Sequence, residues 1–64
     1  MEQRFWCAAW PDLKMTEKRL ADVHGVGAVE VDADGRGLTI HTYSTASAAE
    51  AAVRLRELGW RPIF

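Results

Sequence analysis

The centre of the chain alternates with the period of a strand, and this constrains the fold more than any other feature. Val29 and Val31 are interleaved with Glu30 and Asp32, and after Asp34-Gly35-Arg36-Gly37 the period resumes with Leu38, Ile40 and Thr42 set against Thr39, His41 and Tyr43. Successive side chains of a strand point to opposite faces, so each run offers one apolar and one polar face. The residues between the runs tolerate positive φ and suit a tight turn, so the two runs form a β-hairpin.

The flanks of the hairpin read as helices. Downstream, Ala48, Ala51, Ala52, Leu55 and Leu58 recur at helical spacing, Ser44, Thr45 or Ser47 can start the helix, and Gly59 stands at its C′ position. Residues 60–64 then form a short last strand, with Pro62 at a sheet edge because it has no N–H to give the ladder. Upstream, the run Phe5-Trp6-Cys7-Ala8-Ala9-Trp10 suits a central strand ended by Pro11. Asp12 or Thr16 can cap the next helix; with Thr16 as cap, Met15 and Leu20 take the positions of a hydrophobic staple. That helix is expected to run to His24 and stop at Gly25.

The order strand, helix, strand, strand, helix, strand predicts an α+β domain of ferredoxin-like βαββαβ type: a four-stranded antiparallel sheet with two helices on one face. Its other face is left open to solvent or a partner. A chain of 64 residues makes one such domain, residues 1–64, and buries only about 60% of the surface it exposes when unfolded. It has no room for a cleft between lobes, so a binding module is expected rather than an enzyme.

Charge and cysteine usage narrow the partners. Eight Lys/Arg stand against nine Asp/Glu, a formal charge of −1, so no positive field collects phosphate backbone or anionic lipid, and nucleic acid is disfavoured. The apolar run before Pro11 is too short to span a membrane. Cys7 is the sole cysteine, so no internal disulfide forms, and a reducing, cytoplasmic setting is expected.

Several of these residues carry a resemblance. Gly25-Val26, two residues, Val29-Glu30-Val31-Asp32, then Leu38-Thr39-Ile40 resembles the strand and return strand of the heavy-metal-associated domains. Ala52, Leu55, Leu58, Gly59-Trp60 and Pro62 similarly resemble the end of that family's second helix and the residues after it. The resemblance implies the same βαββαβ fold and, in copper chaperones and transport ATPases, the carriage of soft ions by an M-x-C-x-x-C loop after the first strand. Two thiolates on one short loop grip a soft cation at low coordination number. Counting the family spacing back from Gly25-Val26 puts Ala9 and Asp12 where the two cysteines belong, with Cys7 in place of the packed methionine. Anchoring on Cys7 instead pairs it with Trp10. Either way only one thiol is present.

Two readings of function follow, and they use different residues. The first is a non-enzymatic interaction module whose open sheet face or first loop, with Trp6, Trp10, His41 and Tyr43, meets another protein or a second copy of the chain, without a cofactor. Trp6 lies on the strand parity opposite Phe5 and Cys7, so it is expected on the open face with His41 and Tyr43. Aromatics there resemble the stacking platform of RNA-recognition motifs, but Glu30 and Asp32 share the face, and exposed contiguous aromatics more often mark a protein interface. The second is a soft-metal carrier for Cu or Zn, using Cys7 with Asp12, Met15 or His24. Each of those residues also has a plain structural role: a packed core thiol for Cys7, a helix cap for Asp12, a staple for Met15 and a last helical turn for His24. No Ser/His/Asp order or phosphate-binding loop accompanies them.

Overall fold

The structure, a computed structural model, describes residues 1–7 and 9–63. Its elements are β1 (Glu2–Trp6), α1 (Leu13–Ala21), β2 (Val26–Val31), β3 (Gly37–Thr42), α2 (Thr45–Glu57) and β4 (Arg61–Pro62). The strands form one antiparallel sheet in the order β2-β3-β1-β4. This is the ferredoxin-like arrangement expected from the hairpin and its flanking helices.

One face of the sheet carries the core. Phe5 pairs with Leu38 and Gln3 with Ile40, and Phe5, Leu38 and Ile40 cluster with Leu20 and Val23 at the end of α1, with Ala51 and Leu55 of α2, and with Cys7 and Trp60. Trp60 is completely buried, and its indole Nε1–H donates to Thr16 Oγ1 at 3.0 Å. The Thr16 hydroxyl in turn donates to the Asp12 carbonyl at 2.8 Å, one helical turn back. A buried polar pair is thus satisfied and ties the first turn of α1 to the approach of β4.

Several boundaries differ from the sequence reading. The first strand was expected at residues 5–10 but runs from Glu2 to Trp6; Ala8 lies outside the described residues. Glu2, Gln3 and Arg4 pair with β3 despite their polarity, because central strand β1 needs only alternate positions apolar and Glu2 and Arg4 face away from the helices. Asp12, not Thr16, caps α1: its side chain accepts from Met15 N at 2.9 Å. Thr16 is therefore inside the helix, and the Met15–Leu20 staple that depended on a Thr16 cap does not arise. The helix ends at Ala21 rather than His24, and the chain turns through Gly25, whose φ is +95°.

At the other side of the molecule, β2 begins at Val26, earlier than its alternation suggested, because a bulge between Val26 and Ala28 shifts the register. Helix α2 uses Ser44 as its cap, accepting from Ser47 N at 3.1 Å. Ser47 Oγ donates to the His24 carbonyl at 2.7 Å, which fixes the turn before β2. Gly59 has a φ of +97° after the helix, as the C′ position requires. The last strand is the two residues Arg61 and Pro62, with Pro62 on the edge as expected; the final residue of the predicted strand, Phe64, lies outside the described residues.

Candidate functional site: the open sheet face

Pairing registers lay the open face out in three rows. The first crosses Ala28, His41 and Glu2; the second crosses Glu30, Thr39 and Arg4, with Ile63 N donating to the Arg4 carbonyl at 2.8 Å. In the third, Asp32 N donates to the Gly37 carbonyl at 2.9 Å, Gly37 pairs with Trp6, and Trp6 pairs with Arg61. Glu30 and Asp32 therefore lie along the β2 edge, whereas Arg4 and Arg61 lie on β1 and β4.

Trp6 faces away from the helices, as its parity predicted, and is 45% exposed. Beside it the position of Gly37 has no side chain. A Cβ there would meet the Asp32 carboxylate, which leans across that position, so any larger residue would have to displace the Asp32 side chain. Trp6, Asp32, Gly37 and Ile63 together line one shallow depression. Trp10, in the loop after β1, is 83% exposed and has the Arg36 guanidinium 5.8 Å from its ring centroid. Arg36 also donates from Nε to the Cys7 carbonyl at 3.2 Å, linking the hairpin turn to that loop.

His41 and Tyr43 occupy the other end. His41 pairs with Glu2, whereas Trp6 pairs with Gly37, four residues along β1, a separation of roughly 13 Å at strand rise. The imidazole lies 4.0 Å from a Glu2 carboxylate oxygen and 3.9 Å from one of Glu30, so protonation would give it two ionic partners. Tyr43 is 82% exposed beyond the end of β3, with its hydroxyl over Gly27. Of the four residues expected to form one surface, Trp6 and, through Arg36, Trp10 thus lie toward the β2–β3 turn, and His41 and Tyr43 toward the opposite end of the sheet.

The residues of the metal reading are also spread. Cys7 is buried, and its sulfur sits 3.9 Å from where a Cβ of Gly59 would stand. Asp12 is engaged as the α1 cap and Met15 is on the exposed side of the helix. His24 lies past the far end of α1, whose nine residues separate it from Asp12 by about 14 Å. Among the described residues no group of three or more His, Cys, Asp or Glu side chains is placed to hold a metal ion. Nor, among them, is any helix long and apolar enough to cross a membrane.

Sequence reasoning placed Asp32 on the face of Trp6 but missed Arg61, Arg4 and Gly37 as members of its neighbourhood. The signal was present in the strand parity of each, but joining them requires the pairing register of β1, which the displaced first strand hid. Neither a scan against protein-family models nor searches of the curated proteins and of the solved structures finds a match for this chain.

Proposed function

We propose that this protein is a non-enzymatic interaction module that docks a protein partner on the open face of its sheet, centred on Trp6. The observation that carries this reading is the division of labour among its tryptophans. Trp60 alone completes the core and has its N–H satisfied there, so packing makes no demand for an indole on the opposite face. Trp6 nevertheless stands on that face beside a depression and a pair of basic side chains. A large aromatic with one wet and one apolar side is a common interface anchor. The heavy-metal-associated resemblance is compatible with this as a scaffold whose thiol pair is absent.

A photo-crosslinking residue placed at Trp6, compared with one at Val53, tests the reading. Val53 is 57% exposed on α2, away from the sheet. Irradiation in cells is expected to give discrete protein adducts from position 6 and none from position 53. Equal labelling from both, or none from position 6, contradicts the reading.

A further inference from the structure

The open face is electrostatically lopsided in a way that selects its own partner, and we infer that it pairs with a second copy of the chain, sheet against sheet, about a twofold axis running along the strands. This deepens the docking reading above and rests on it.

Glu30 and Asp32 mark the β2 edge of the face, and Arg4 and Arg61 mark the β1–β4 side. Two stacked sheets keep their strands within about 30° of one another, which leaves two limiting twofold arrangements. With the axis across the strands, β2 lies over β2 and the acidic edges oppose each other. With the axis along the strands, β2 of one copy lies over β4 of the other, and β3 over β1. Each row then meets itself reversed. Asp32 faces Arg61 of the other copy, and Trp6 comes over Gly37 once the exposed Asp32 carboxylate, which lies across that position in the single chain, swings off it toward Arg61. His41 comes over Glu2, and Arg4 over Thr39, one strand from Glu30. Every contact occurs twice, as a twofold interface requires, and like charges are not opposed. Charge complementarity of this kind fixes register and rejects the alternative.

The size of the face sets the strength. Strands about 4.8 Å apart, six residues long in β2 and β3, five in β1 and two in β4, present roughly 300 Å², well under half of the about 800 Å² per partner of a standard interface. The pair is accordingly weak and reversible, forming between micromolar and millimolar concentration.

Sedimentation of the wild-type chain, of Asp32→Arg, of Arg61→Asp and of an equimolar mixture of the two variants decides it. Both positions are exposed, and circular dichroism confirms that each variant is folded. The wild type is expected to dimerise with concentration, each variant alone to do so at least about tenfold more weakly, and the mixture to recover wild-type association, because its heterodimer restores both opposite-charge contacts. A wild type monomeric to millimolar concentration overturns the second copy, as do single variants that dimerise like the wild type or a mixture that fails to recover. Monomeric behaviour together with position-6 adducts of a different mass removes only the self-pairing; absence of any adduct removes the docking face itself.

Discussion

The two faces of the sheet are cut from the same strands, residue by residue, yet they obey different rules. On the helix side Phe5, Leu38 and Ile40 are all but inaccessible, Trp60 has its N–H satisfied, and Gln3 Oε1 is a buried polar atom without a hydrogen-bond partner. On the open side the alternate residues Glu2, Arg4, Trp6, Thr39 and His41 form no core, and charge and one large ring take the place of packing. The lesson is that stability and recognition have been separated by strand parity: substitutions on one face should be read in folding, and on the other in association.

The largest expected effect breaks the helix side. Trp60→Ala empties the centre of the core and is expected to cost about 3–5 kcal/mol, enough to unfold a chain this short, as thermal denaturation followed by circular dichroism will show. Thr16→Val should cost about 1–3 kcal/mol, because it keeps the volume but leaves the buried Trp60 N–H without its acceptor; denaturant titration measures this directly. Asp12→Ala removes the α1 cap and is expected to cost about 1 kcal/mol in the same assay. Trp6→Ser sharpens the contrast from the other side: it should change stability by no more than about 0.5 kcal/mol while weakening self-association at least about tenfold. A Trp6→Ser variant as destabilised as Trp60→Ala would place that ring in the core and erase the distinction between the faces.

How much of this was legible in the sequence follows the same division. The hairpin, α2 with its Gly59 stop, and the inward and outward sides of β3 could be read because period and turn chemistry are local properties. The first strand was misplaced because the apolar run from Phe5 to Trp10 outweighed a polar start at Glu2, Gln3 and Arg4, whose pairing is decided by β3 rather than by their own propensity. Thr16 stood beside Asp12 as a candidate cap because a hydroxyl near a helix start often is one, whereas Asp12 caps the helix and Thr16 serves a tryptophan far along the chain. For the open face, parity put Trp6, His41 and Tyr43 on one side, but their distance along the strands depends on register. That is why one expected cluster became two, and why the opposition of Asp32 and Arg61 across the sheet emerged only once the strands were paired.

The most direct test of the separation is a set of amide spectra of the labelled chain recorded from dilute to concentrated solution. The account predicts concentration-dependent shifts at Arg4, Trp6, Gly37, Thr39 and Arg61 and at the Trp6 indole, with the Trp60 indole and the amides of α1 and α2 unmoved. Shifts confined to the helices, or spectra that do not change at any concentration, would contradict it.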